Sequence, residues 1–101
     1  MNLNLFRVLS PVEQAAQRQY AERDVWQTRC KTLGATIEQI DAYEERAQAF
    51  ARTTVYSNDR IVAEARRAAL EALQQGKPLP ADVEVAVQSV WARDLARLLG
   101  L

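Results

Sequence analysis

The sequence predicts an all-α fold: a long N-terminal helix or helical hairpin, two further helices, and coiled-coil-like packing. Three observations carry this. Apolar residues recur at alternating spacings of four and three from Trp26 through Cys30, Leu33, Ile37 and Ile40. With Ala47 and Ala51 the register continues and is interrupted only at Glu44. Such a ladder is the seam along which one helix packs on another. Glycine and proline are scarce, three of each in 101 residues, and 49% of the chain is hydrophobic beside 26% charged. That composition belongs to a globular helical domain rather than a disordered chain. Finally, helix starts and stops are written locally at several points.

The chain divides into an apolar arm over 1–10, a helical hairpin or bundle over 11–76, a linker over 77–80 and a C-terminal helix over 81–101. The arm holds Leu3, Leu5, Phe6, Val8 and Leu9. Left in water it forms a sticky patch, so it is expected to dock on its own helices or on a second chain. In Ser10-Pro11-Val12-Glu13, Ser10 caps, Pro11 fits the first helical position, and Glu13 can close a capping box. A helix therefore starts at Pro11. At Gly34 two readings stand. As a cap it ends this helix, with Thr36 and Gln39 opening the next. As an interior residue it costs only about 1 kcal/mol against Ala and leaves the seam continuous. In that continuous register Ile37 faces inward, and Ile37→Asp would place an unpaired charge on the seam.

Residues 37–52 are helical on either reading. The β-branched run Thr53-Thr54-Val55 and the cap-rich Ser57-Asn58-Asp59 mark a break. The following helix runs to about Gln75 with an alanine-rich face: Ile61, Val62, Ala65, Ala68, Ala69, Ala72 and Leu73. Arg60–Glu64 and Arg67–Glu71 have the i,i+4 spacing of helix-surface ion pairs. Gly76-Lys77-Pro78-Leu79-Pro80 stops that helix and prevents its resumption. From Asp82 to Leu99, Val83, Val87, Val90, Trp91, Leu95 and Leu98 share a helical stripe. Val83, Val85 and Val87 also alternate, so residues 83–87 read as helix or strand.

Thirteen basic residues balance thirteen acidic ones. The basic excess of a nucleic-acid or membrane-surface binder is missing. Eleven of the thirteen are arginine, which reflects either fixed bidentate contacts or the codon bias of a GC-rich genome. There is no histidine to serve as general base or metal ligand. The single cysteine, Cys30, excludes an internal disulfide and reads as a small buried hydrophobe. Asp41, Glu44 and Glu45 read as a solvated acidic face. No glycine-rich phosphate loop and no nucleophile elbow occurs. No catalytic residue, cofactor, metal or small-molecule substrate is therefore expected. The arm is too short and too poor in charge for a signal peptide, no run reaches membrane-span length, and a cytoplasmic protein is expected.

Cys30 to Tyr43, reading C-K-T-L-G-A-T-I-E-Q-I-D-A-Y, resembles the turn region of helix-turn-helix proteins. Cys30 supplies a small residue four before the glycine and Ile40 an apolar residue six after it. The resemblance implies a DNA-binding regulator. The helix that would read DNA, however, carries Glu38, Asp41, Glu44 and Glu45, which repel phosphates. The leading expectation is a non-enzymatic interaction or assembly module that self-associates or docks on a larger complex. A small helical inhibitor or regulator, of the kind phages and mobile elements encode, is the alternative. Interface candidates are Leu5, Phe6, Tyr20, Trp26, Ile37, Ile40 and Trp91, since aromatic anchors dominate binding hot spots.

Overall fold

The computed structural model describes residues 8–101. Among them are four helices and no strand: α1 (Pro11–Thr32), α2 (Ile37–Arg52), α3 (Asn58–Gln74) and α4 (Val83–Leu98). Residues 83–87 are thus helical. Leu5 and Phe6 of the apolar arm lie outside the described residues.

Each helix begins where the chain supplies an acceptor for its free N–H groups, α3 excepted. Ser10 Oγ accepts from the Glu13 N–H at 3.2 Å. Asp82 Oδ1 accepts from Val85 N–H at 3.1 Å. At α2 the capping box is complete: Thr36 Oγ1 accepts from Gln39 N–H, and Gln39 Oε1 accepts from Thr36 N–H. Ser57 stands at the α3 N-cap but makes no side-chain capping bond.

Gly34 is a cap. Its φ is +100°, in the left-handed region that glycine enters without a Cβ penalty. Ala35 N–H donates to Cys30 carbonyl oxygen and Gly34 N–H to Lys31 carbonyl oxygen, at 3.1 and 3.0 Å. These two bonds form a Schellman motif. The same pair recurs at Gly76, from Lys77 to Ala72 and from Gly76 to Leu73. The continuous-helix reading is therefore replaced by a hairpin.

The turn resets the seam. Trp26 and Cys30 of α1 are buried, and so are Ile40, Tyr43, Ala47 and Ala51 of α2. Leu33 and Ile37, the rungs beside the turn, are 39% and 38% exposed. The inward placement of Ile37 is thus corrected: a ladder phased on one helix axis cannot hold across a reversal, and Ile37 sits at the first position of a new helix. Glu44, the apparent interruption, is 3% exposed and lies inside the seam.

The two central helices are α2 and α3, and their contact is lined by Ala47, Ala51, Ala65 and Ala69, all fully buried. Residues this small let two helices approach closely, the distance being set by the side chains at the contact. Ile40, Tyr43, Ile61, Val62, Val83 and Val87 complete the core, with Trp91, Leu73, Leu79 and Phe50 packed at its edge. Both central helices touch α1 and α4, whereas α1 and α4 share no contact among the described residues.

Ile40→Asp would strand a carboxylate in this core and should lower the unfolding free energy by about 3 kcal/mol or more. Ile37→Asp, at an exposed helix N-terminus that favours acidic groups, should change it by less than about 1 kcal/mol. Urea denaturation of the two variants checks this. Equal losses would contradict the reset register.

Candidate interaction surface

Three helices meet at Arg66. The guanidinium of this α3 residue is paired with Glu44 of α2 through both nitrogens of one edge. Nε lies 3.1 Å from Glu44 Oε2, and Nη2 donates to Glu44 Oε1. The pair is largely dry, with side-chain exposures of 14% for Arg66 and 4% for Glu44. Arg66 Cζ lies 5.6 Å from the centroid of the Trp26 ring on α1. Trp26 Nε1 in turn donates to the Arg66 backbone carbonyl at 3.0 Å. Gln48 Nε2 gives Glu44 a further donor at 3.2 Å. One residue thus engages α2 by charge and α1 by a cation–π contact and a hydrogen bond.

Next to it, Tyr43 OH donates to the Ala65 carbonyl, and its ring lies 6.1 Å from that of Trp26. Burial pushes the Tyr43 phenol well above its ordinary value. Burial likewise pushes the Cys30 thiol up to about 11. A buried thiol held in its neutral form is a poor nucleophile, so Cys30 serves packing. Glu44, taken from sequence as part of a solvated acidic face, is removed from it by its partner. Asp41 stays exposed beside Arg23 and Gln27 of α1, at 3.9 and 3.4 Å, and Glu45 is exposed.

A second set of charges fixes α4. Arg67 of α3 holds Asp94 through two bonds of 2.7 and 3.0 Å. Glu71 of α3 accepts from Arg93 at 2.7 Å and from Arg67 at 3.3 Å. The Arg67 bond holds the Asp94 carboxyl below its usual range. Arg60, spaced to pair with Glu64, instead lies over the Trp91 ring at 5.5 Å. Tyr56 meets the same ring edge-on, with centroids 5.3 Å apart. Trp91 thereby ties the α2–α3 connection to α4. Arg46 Nη2 reaches the Pro80 carbonyl at 3.3 Å and ties the linker to α2.

Two regions of the remaining surface are distinct. A groove of about 430 Å³ runs between the first half of α1 and helices α2 and α3, lined by Arg18, Arg23, Glu22, Glu44, Asp59 and Arg66 among others. Charges of both signs line it, and Gln19 Nε2 donates across it to Asp59 Oδ1 at 3.0 Å. Helix α4 carries no charged residue from Val85 to Ala92, the longest such run in any of the four described helices. Its inner side, Val83, Val87 and Val90, is buried. Its outer side also carries apolar residues, with Val85 55%, Leu95 56% and Leu99 63% exposed, beside the exposed polar Gln88 and Ser89. Leu98, which continues the register of the inner stripe at the end of α4, and Leu101 beyond it are also exposed, at 84% and 90%.

The structure distributes the sequence-derived interface residues among three environments. Trp26 and Ile40 are core residues, with 4% and 0% exposure. Trp91 is half-buried in the aromatic contact described above. Tyr20 (72%) and Ile37 (38%) are open to solvent, on α1 and at the start of α2. The stripe read from sequence joins Leu95 and Leu98 to Val83, Val87 and Val90; the structure buries the three valines but leaves Leu95 and Leu98 exposed, because the core ends before the last turns of α4. The available signal is the charge-free run 85–92, which places apolar residues on more than one side of a helix that has only one core to face.

Among the described residues, no group of three or more His, Cys, Asp or Glu side chains is placed to hold a metal ion. No helix there is long and apolar enough to cross a membrane. No protein family matches the chain, and neither a curated protein nor a solved structure shows significant similarity to it.

The raised thiol and phenol make stability fall in alkali. Between pH 9 and about 11 the unfolded chain releases the Cys30 proton while the native chain keeps it, so the native state loses ground as pH rises. Tyr43 adds to this above pH 10. The unfolding free energy should stay level from pH 7 to about 8.5, then fall with a slope approaching about 1.4 kcal/mol per pH unit for each group. In Cys30→Ala the first part of the fall should vanish. A wild-type profile flat to pH 11 would contradict both assignments.

Proposed function

We propose that this chain is a non-enzymatic helical interaction or assembly module, one that self-associates or docks on a larger protein complex. The observation that carries the reading is α4. A helix that faces one core needs one apolar stripe, and α4 has two, the second lying in solvent. Each half-exposed Val or Leu on that stripe forgoes roughly 1 kcal/mol that full burial would return. Exposed apolar surface grouped on one helix is a feature of binding faces.

The remaining chemistry agrees with this reading. The one thiol is buried and proton-bound, the chain has no histidine, and the charged groups nearest the core are engaged in ion pairs that join helices. A cytoplasmic setting, where a lone cysteine stays reduced, suits such a module. The helix-turn-helix reading draws support from Cys30, Gly34 and Ile40, which occupy the positions that motif requires. Against it, the exposed side of α2 presents Glu38, Asp41 and Glu45, a poor match for a phosphate backbone.

Sedimentation velocity over a concentration series, together with partner capture from the source cell, tests the reading. Either the mass should rise toward that of an oligomer or a stoichiometric protein partner should be retained. Leu99→Glu should abolish whichever is seen while leaving the helical signal intact. A chain that stays monomeric at every concentration and retains no partner would contradict the module reading.

A further inference from the structure

We propose that the groove between the two glycine turns docks an acidic peptide segment of a partner protein, one large apolar side chain seated in it beside a carboxylate. This rests on the module reading in its docking form and gives it a second contact face, with the chemistry of the partner stated.

The groove, of about 590 Å³, opens where the α1–α2 turn at Gly34 faces the α3–α4 linker at Gly76. Its floor is apolar. Leu73 and Leu79 come from the edge of the core, and Leu33 stands beside them with 39% exposure. Its walls are held in place. Both turns are closed by their Schellman bonds, and the linker is tied to α2 by the Arg46 bond to the Pro80 carbonyl. A groove formed before its ligand arrives avoids much of the ordering cost of binding.

The occupant follows from the charge. Both charged side chains of the lining, Arg46 and Lys77, are cations, whereas the groove beside α1 is lined by both signs. Neither cation meets a carboxylate among the described residues. Arg66, Arg67 and Arg93, by contrast, are each matched with an acid of the chain. Arg46 is already placed for a ligand. Its guanidinium lies 5.7 Å from the Tyr43 ring centroid and spends one nitrogen on the Pro80 carbonyl, with further N–H groups left over. The other polar side chain of the lining, Gln39, commits its oxygen to the Thr36 N–H and keeps its amide hydrogens. The rim thus offers hydrogen-bond donors without a competing carboxylate, the complement of an acidic group. The cationic patch is also narrow. Glu38, Asp41 and Glu45 are exposed on the adjoining side of α2, so a single carboxylate is attracted and an extended polyanion such as nucleic acid is repelled. The apolar floor calls for an apolar side chain next to the acid, which a peptide supplies and a free anion does not.

Selection of random displayed peptides on the full chain tests this. The recovered sequences should combine Asp or Glu with a large apolar residue, and synthetic peptides of those sequences should bind with a Kd on the order of 10–100 µM by calorimetry. Lys77→Glu and Arg46→Glu should each weaken that binding at least tenfold. Lys77 is exposed and unpaired, so Lys77→Glu should keep the helical signal and urea midpoint of the parent, which separates lost binding from lost fold. Leu99→Glu, on the α4 face, should leave peptide binding unchanged. Recovered peptides without acidic residues, or binding that persists in Lys77→Glu, overturn the proposal. Binding lost in Leu99→Glu and kept in Lys77→Glu overturns it while supporting the module reading through α4. No enriched peptide overturns it as well, and leaves the module reading to sedimentation and partner capture. A DNA oligonucleotide that binds more tightly than the selected peptides overturns it in favour of nucleic acid.

Discussion

The arrangement of the bundle depends on one arginine. Arg66 projects from α3 into a space that Glu44 enters from α2 and Trp26 from α1. Taking two charges out of water costs several kcal/mol, and their mutual attraction roughly offsets it. A matched apolar pair of similar volume would serve stability as well. What the ion pair adds is alignment. Two planar groups joined by two bonds accept one rotation of α2 against α3, where the alanines at their contact would accept several. The Trp26 bond to the Arg66 carbonyl then sets the height of α1 on the same residue. Alanine gives the central helices proximity, and the Glu44–Arg66 pair gives them register.

The same division of labour recurs at α4. Its valines supply burial, and the Arg67–Asp94 and Arg93–Glu71 bonds supply orientation. The consequence is a fixed rotation of α4. A helix with apolar residues on two sides would otherwise be less constrained in the face it presents to the core. Held by its charges, α4 keeps one stripe inside and leaves Val85, Leu95 and Leu99 exposed. The polar groove near the first half of α1 has no comparable feature, since its charges are largely answered by neighbours within the chain.

Much of this fold was legible in the sequence because its signals are local. The Ser10-Pro11 start, the Thr36–Gln39 box, the Gly76 stop and the break after Arg52 each depend on a few neighbouring residues, and each lies where the chain states it. Gly34 was ambiguous since propensity alone separates cap from interior by only about 1 kcal/mol. The structure decides it by burying Ala35 against Cys30 across the turn. The long-range features were harder to read. Glu44 and Arg66 each interrupt an apolar stripe, and opposite charges doing so on neighbouring helices are the trace of a buried pair. That inference needs the knowledge that α2 and α3 are neighbours, which no local pattern gives. The outer stripe of α4 was hidden for a related reason: two apolar stripes on one helix look like one broad stripe until packing shows which is covered.

A double-mutant cycle on Glu44 and Arg66, followed by urea denaturation, addresses the central role of this pair most directly. Either alanine substitution alone should cost about 3 kcal/mol or more by stranding the other charge, and the double variant should cost clearly less than the two together, with a coupling energy of about 2 kcal/mol. Additive losses with no coupling would contradict the assignment of helix register to this pair.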